Sequence, residues 1–402
     1  MIDRKQFLDK LKAYTGKGLI KVITGMRRAG KSTLLKQYHG YLTGSGVPEQ
    51  NILLINMELL EFGYIGNYKD LDKHIRQSVS QKNGTKYILL DEIQEIDHWE
   101  KAVNSYLAEG SYDITITGSN ARVLSTELST LLAGRYIEIA MHPFSFKEFR
   151  SYRLLNNSDE PVSLSFKHYL RYGGLPGIHV FPFNDDVIFP YLNAIYNTAL
   201  MKDVITRNKI RDVEQLERIT RFVFNNCGNI TSAKNIADYL KSQRTKVSVE
   251  TVQNYLFYLT QAFMVHKVRR YDIKGKKLLE YSEKYYPADV GLRFGLTGFA
   301  DSDISGLLES IVYIELLRRG YTVYVGQTGS YEIDFVAEKQ EDRLYLQVAY
   351  LLGDEKTIER EFGNLERIND NFPKMVLSLD EIWPQHRNGI TRKNIIEFLL
   401  EQ

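Results

Sequence analysis

Eight consecutive residues, Gly25-Met26-Arg27-Arg28-Ala29-Gly30-Lys31-Ser32, fit the pattern G-x-x-x-x-G-K-[ST] without a mismatch, and Thr33 follows them. Glycines at these places let the backbone curl until its N–H groups face the oxygens of a phosphate chain. A helix opening at the end of the loop adds its positive N-terminal end. Lys31 then has the reach for the β- and γ-phosphates, and the Ser32 hydroxyl for a Mg²⁺ ion. A chain of this length shows the bare pattern by chance about once in 70. The apolar-rich run Leu19–Thr24 before it and the helical stretch Lys31–Tyr41 after it make chance less adequate still.

A phosphate loop alone binds nucleotide, whereas hydrolysis needs acids. Tyr87-Ile88-Leu89-Leu90-Asp91-Glu92 is an apolar run ending in two of them. Asp91 at a strand's carboxyl end is placed to hold Mg²⁺, and Glu92 to orient or deprotonate an attacking water. The alternative is that the two acids merely open a helix, where they suit its dipole. The next β-branched run ends in Thr117-Gly118-Ser119-Asn120, where Ser119 or Asn120 has the chemistry to meet a γ-phosphate or the water. Gly134-Arg135 follows. An arginine at the γ-phosphate is worth about 10³–10⁵ in rate. Arg135 is a candidate in its own subunit, in a neighbour's site, or as a surface charge only.

These residues need a scaffold that brings strand ends together. Leu19–Thr24, Asn51–Asn56, Tyr87–Leu90 and Ile114–Thr117 read as buried strands, separated by helical stretches near Lys31–Tyr41, Leu71–Ser80 and His98–Glu109. Such alternation predicts an α/β fold with a parallel sheet covered on both faces. From Pro143 the pattern turns helical, with loops expected at Asn156–Pro161 and Phe181–Asp186. Strands return after Gly320, at Tyr321–Val325, Tyr331–Ala337 and Arg343–Tyr350.

Composition narrows the class. The 402 residues carry 52 Lys+Arg against 50 Asp+Glu, a net charge of +2, with 43% hydrophobic residues, which excludes a disordered chain and a histone-like one. No run approaches 18 apolar residues, so no membrane span is expected. One cysteine, Cys227, cannot form an internal disulfide, and a reducing cytoplasm is the expected compartment. The cysteine lies in an apolar run and reads as core. The eight histidines show no zinc-ligand spacing.

The loop, the Asp-Glu strand, the Thr-Gly-Ser-Asn turn, and Gly134-Arg135 before Pro143-Phe144-Ser145-Phe146-Lys147-Glu148-Phe149 resemble one family. It is the bacterial and archaeal group of AAA-type ATPases that carry a C-terminal domain of unassigned function. The likeness continues through Tyr172-Gly173-Gly174-Leu175-Pro176, Arg270–Lys277, Leu308-Glu309-Ser310 and Gln347-Val348-Ala349-Tyr350. It implies a P-loop, AAA+-like nucleotide domain over 1–150, a helical connector over 151–205, a winged-helix-like domain over 206–300 and a restriction-endonuclease-like core over 301–402. ATP and Mg²⁺ are the implied ligands.

Residue spacing supports the middle of that scheme. Ala233, Ile236, Ala237 and Leu240 fall at helical spacing, as do Val252, Tyr255, Leu256 and Leu259, with Ser248 as N-cap of the second helix. The polar connection Lys241–Val247 suits a helix-turn-helix. Residues 234–280 hold ten Lys/Arg and four Asp/Glu, a local +6 that leaves −4 for the remainder. Lys246, Gln253 and Asn254, with Lys267, Arg269, Arg270, Lys274, Lys276 and Lys277 on a hairpin wing turning at Gly275, are the candidate nucleic-acid contacts. A protein-contact role for the same elements stays open, and Glu250 beside the reading residues counts against DNA.

In the restriction-endonuclease fold a helix Glu, a strand Asp and a Glu-x-Lys bind metal and activate water. Glu309 and Asp334 match the first two, but the third element reads Gln347-x-Ala349. Gln is a poorer metal ligand than a carboxylate, and Ala brings no amine. No nuclease activity is therefore expected. Two other outcomes stand: an ATPase with DNA as target that forms nucleotide-dependent oligomers, or an ATP-latched protein-interaction module with negligible turnover.

Overall fold

The computed structural model describes residues 4–79, 83–121, 134–155, 159–298, 304–381 and 386–401. They form two compact units, one of residues 1–142 with Gln261–Phe263, the other of Pro143–Thr260 with Met264–Gln402.

The first unit has five strands: β1 (Ile20–Thr24), β2 (Ile52–Asn56), β3 (Lys86–Asp91), β4 (Tyr112–Gly118) and β5 (Tyr136–Ala140). All pair in parallel, in the order β2-β3-β4-β1-β5. Every residue of β1 and of β4 is buried, as central parallel strands require. The period of two sorts their side chains onto two faces. Val22, Ile88, Leu90, Ile114 and Ile116 pack with α3 (Tyr68–Val79) and α4 (Trp99–Glu109). Ile23, Leu89 and Ile139 pack with α1 (Lys5–Ala13) and α2 (Lys31–Gly44) on the other. Lys21 is the exception on that second face, held 2.5 Å from Asp113 and fully buried. The order matters for function. β4 lies between β1 and β3, so the turn after β4 opens between the phosphate loop and Asp91.

The second unit contains α5 (Phe146–Leu155), α6 (Val162–Tyr172), α7 (Asp185–Ala199), α8 (Val213–Asn225), α9 (Ala233–Ser242), α10 (Val249–Gln261), α11 (Val290–Thr297), α12 (Ile304–Arg318), α13 (Glu355–Glu366) and α14 (Ile395–Leu400). Its strands are β6 (Val265–Asp272), β7 (Lys277–Pro287), β8 (Thr322–Thr328), β9 (Tyr331–Lys339), β10 (Asp342–Val348), β11 (Lys374–Ser378), β12 (His386–Arg387) and β13 (Ile390–Asn394). All eight join one mixed sheet, ordered β12-β13-β11-β10-β9-β8-β6-β7.

That sheet corrects one expectation. The hairpin read as a wing does turn at Gly275, and its strands also belong to the larger sheet. β6 pairs in parallel with β8, Arg270 opposite Val325 and Asp272 opposite Gln327. The sheet thus crosses the expected boundary at residue 300. The pairing joins residues 55 positions apart, a distance over which local pattern carries no information. The two helices before the hairpin lie close to where spacing put them, and the Ser248 hydroxyl accepts the Thr251 N–H at the start of α10.

The Tyr172-Gly173-Gly174 motif has a packing role. The carboxylate of buried Asp289 accepts N–H groups from Gly174 (2.7 Å) and Gly291 (2.9 Å). A Cβ on Gly173 would stand 1.8 Å from that carboxylate, and one on Gly174 2.3 Å from the Phe144 carbonyl oxygen. Among the described residues no helix is long and apolar enough to cross a membrane.

Candidate functional site

The loop between β1 and α2 is shaped by backbone that most residues resist. Gly25 has φ 144° and Gly30 φ 103°, and a Cβ on Gly25 would lie 2.1 Å from the Met141 carbonyl oxygen. Arg28 adopts the left-handed conformation and projects outward, while Met26 and Ala29 are buried beneath the loop. Arg27 turns back to Glu58, 2.8 Å away. Ser32 and Thr33 are half-buried in the first turn of α2. The loop is thus held by a close approach between backbones as well as by its sequence.

Lys31 is buried. Its Nζ donates to the carbonyls of Gly25 (3.0 Å) and Met26 (3.2 Å) and lies 3.5 Å from Glu92 Oε1. Ser32 hydrogen-bonds the Asp91 carboxylate. Thr117, at the end of β4, donates from Oγ1 to Asp91 (2.6 Å) and accepts the Glu92 N–H (3.0 Å). One hydroxyl therefore fixes both acids. Glu92 itself sits at φ 56°, a left-handed kink that takes its side chain off the line of β3. Its Oε2 accepts from Ser119 Oγ (2.9 Å) and from the Gln94 amide. Asn120 is buried in the same turn.

The two acids are tuned in opposite directions. Burial raises the Asp91 carboxyl above its ordinary range, partly offset by the hydrogen bonds from Ser32 and Thr117. Burial would raise Glu92 too, but Lys31 and Arg27 attract its charge and hold it below the ordinary range. Glu92 is ionised at neutral pH.

Thr117 and Gln94 carry no motif signal of their own in the sequence. Thr117 stands in the Thr-Gly-Ser-Asn turn that drew notice to Ser119 and Asn120, and Gln94 lies two residues past Glu92. Neither residue type announces a positioning role. Arg135 lies elsewhere. Its carbonyl accepts the Ile20 N–H (2.9 Å) where β1 begins, and Tyr136 opposes Ile20 while Ala140 opposes Thr24. At about 3.3 Å per residue, the Arg135 backbone is roughly 20 Å from the loop, at the opposite end of the strands. Its backbone therefore stands at the far end of β5 from its own subunit's loop.

Residues 17–150 match the model of a family described as an AAA domain, and residues 163–303 match a domain of unknown function (DUF8612). An uncharacterized protein of Haemophilus influenzae is 36% identical over 100% of this chain and 99% of its own length. The chain belongs to this family of AAA-domain proteins. An uncharacterized protein of Methanocaldococcus jannaschii is 31% identical over 87% of this chain and 78% of its own. Among solved structures, the Aeropyrum pernix ORC1 protein in complex with DNA covers 74% of this chain and 92% of its own at 12% identity, with a TM-score of 0.35. That likeness is loose.

The residues expected to touch nucleic acid are spread over separate elements. Lys246, Gln253 and Asn254 are exposed before and on α10. On β6, Lys267 is paired with Glu283 (2.5 Å), Arg270 bonds Gln327, and Arg269 is exposed. Lys274, Lys276 and Lys277 are exposed around the hairpin turn.

The nuclease-like residues of the second unit do meet, with one addition. Lys284 of β7 is 2% exposed; its Nζ lies 2.9 Å from Glu309, 2.6 Å from Glu332 and 3.7 Å from Asp334. Tyr286 donates to Glu309 (2.7 Å). The amine that Ala349 lacks thus arrives from another strand, and the acids expected to face a metal face an ammonium. Gln347 accepts the Asp334 N–H (2.6 Å) and donates to Glu361 (2.9 Å), a bridging role. Burial pushes Asp334 up to about 7, and raises Glu309 as well. Among the described residues no cluster of His, Cys, Asp or Glu is arranged to hold a metal. Cys227 is buried, its Sγ 2.8 Å from Ser310 Oγ, and burial pushes its thiol up to about 12.

Proposed function

We propose that the AAA domain binds ATP with Mg²⁺ and hydrolyses it by in-line attack of water on the γ-phosphate, passing its nucleotide state to the second unit. The observation that carries this reading is the convergence of Lys31, Ser32, Asp91 and Glu92 at one end of the sheet, with Glu92 ionised. Ser32 and Asp91 face one another and offer hard oxygen ligands, a donor set that fits Mg²⁺, which keeps several waters of its own. The ion would supply neutralisation of the phosphate oxygens. Lys31 exchanges the loop carbonyls for phosphate oxygens, Thr117 keeps the two acids in register, and Glu92 orients or deprotonates the water. Ser119 and Gln94 position the Glu92 carboxylate. Arg135 acts, in this reading, on the site of a neighbouring copy. Nucleic acid is the target of the second unit, on the strength of its basic surface.

The test is phosphate release by the purified full chain. Lys31→Ala should abolish it, and a variant that still turns over ATP would sink the assignment. One observation favours a second reading. Glu92 is engaged at once by Lys31, Ser119 and Gln94, which suits a latch that holds ATP without turning it over. No release with or without nucleic acid, despite tight ATP binding, would select the latch.

A further inference from the structure

A cleft of about 960 Å³ opens in the second unit between the β6–β7 turn, the β8–β9 turn and the segment after α13. Three exposed cations line it: Lys274, Lys276 and Arg367. None makes an ion pair with a described residue. The other charges on its walls are already matched. Arg343 is paired with Glu338. Asp370 lies 3.7 Å from Lys374 and accepts the Tyr345 hydroxyl at 2.6 Å. The cleft therefore offers three uncompensated positive charges. It also offers ring faces: Tyr331 is 41% and Phe372 38% exposed, large values for rings so close to a core. Each has a guanidinium nearby, Arg367 4.0 Å over Tyr331 and Arg343 5.4 Å over Phe372.

We propose that this cleft holds a short single-stranded stretch of nucleic acid, its phosphates on Lys274, Lys276 and Arg367 and its bases stacked on Tyr331 and Phe372. Positive charge alone fits any polyanion. Exposed rings in the same cleft as the cations select a ligand that carries both charges and flat π-faces. A duplex keeps its bases stacked inside and presents no free face, so the single strand is the form that fits. The proposal rests on the nucleic-acid part of the function given above; it keeps Lys274 and Lys276 of the expected contacts and leaves α10 out.

The experiment measures binding of the full chain to fluorescent oligo-dT, oligo-U and a mixed-sequence duplex across a salt series. The expected result is preference for the single strands. Tyr331→Ala and Phe372→Ala should each weaken it about tenfold. The triple variant Lys274→Gln, Lys276→Gln, Arg367→Gln should lower the log–log salt slope by about 2, at about 0.7 per phosphate contact. A triple control, Lys10→Gln, Lys17→Gln and Lys356→Gln, should leave the slope unchanged, and each variant is read only with a wild-type melting midpoint. Single-strand binding that survives all the cleft variants overturns the proposal. So does a duplex preference lost in Gln253→Ala, which would keep nucleic acid as the target but return it to α10. Poly-glutamate bound as tightly as oligo-dT would assign the cleft to an acidic protein instead. No binding to any strand would overturn both the proposal and the nucleic-acid target, leaving the ATPase reading untouched.

Discussion

Replacing Lys284 with Met removes one charge and keeps most of the volume. In the native chain Lys284 stands among Glu309, Glu332 and Asp334, a formal −2 if all three acids ionise, and only Glu332 has substantial exposure. Taking one partner from a buried ion cluster costs about 3–5 kcal/mol, because the remaining charge is left uncompensated. At about 2–4 °C per kcal/mol for a unit of this size, the melting midpoint should fall by roughly 6–20 °C near pH 8. The pH dependence has a definite sign. Asp334 is already raised to about 7 by burial, so between the ordinary carboxylate range and 7 the folded chain binds more protons than the unfolded one, and stability falls as pH rises through that window. Lys284 does most to lower Asp334 and Glu309; without it both rise further, and the window extends upward. The deficit should therefore be larger at pH 8 than at pH 6, where the variant acids take up protons. Thermal unfolding of the full chain followed by circular dichroism at both pH values reads this directly. A midpoint within about 2 °C of wild type at pH 8, or an equal deficit at both pH values, would refute the account of the cluster as an ammonium-neutralised core.

Glu92→Gln should still bind ATP but lose about 10²–10⁴ in turnover in single-cycle phosphate release. Because Lys31 and Arg27 hold Glu92 below the ordinary range, wild-type turnover should not decline from this group between pH 8 and 6, and its stabilising share is lost only as pH falls below that range. Gly25→Ala places a methyl 2.1 Å from the Met141 carbonyl oxygen; fluorescent-nucleotide titration should show ATP binding lost although Lys31 and Asp91 are intact. Arg135→Ala mixed with Lys31→Ala should regain part of the turnover that each lacks alone, whereas two additive, inactive populations would confine Arg135 to the surface. Metal-dependent nicking should be absent in Mg²⁺ and Mn²⁺; nicking lost in both Asp334→Asn and Lys284→Met would show that the relocated amine restores the nuclease.

The AAA-domain part of the chain was readable because its motifs are contiguous. Eight residues make the loop, and Asp91-Glu92 closes a strand whose apolar run marks it. What could not be read lies in pairings made across distance. β5 went unnoticed because an edge strand with alternating exposure carries a weak apolar signal, and that strand is what locates Arg135. The β6–β8 pairing, which ties the expected hairpin into a larger sheet, joins residues 55 positions apart. Lys284 reaches Glu309 and Asp334 across 25 and 50 residues, so the position of the missing amine had no local trace. Tyr331 and Phe372 carry no local signal that distinguishes them from packing aromatics, and only the fold leaves them part-exposed beside Arg367 and Arg343.

Helix α12 is buried at every residue from Gly306 to Leu316, so no side of that stretch meets water. Its wrapping comes from both directions along the chain: Tyr286 stacks on Tyr313 from before it, and Phe335 packs on the same ring from after it. A ribosome releases this greasy rod with half its sheath still unmade. Until the strands beyond residue 320 emerge, it is a natural place for a chaperone to take hold, and truncations ending inside that interval should precipitate.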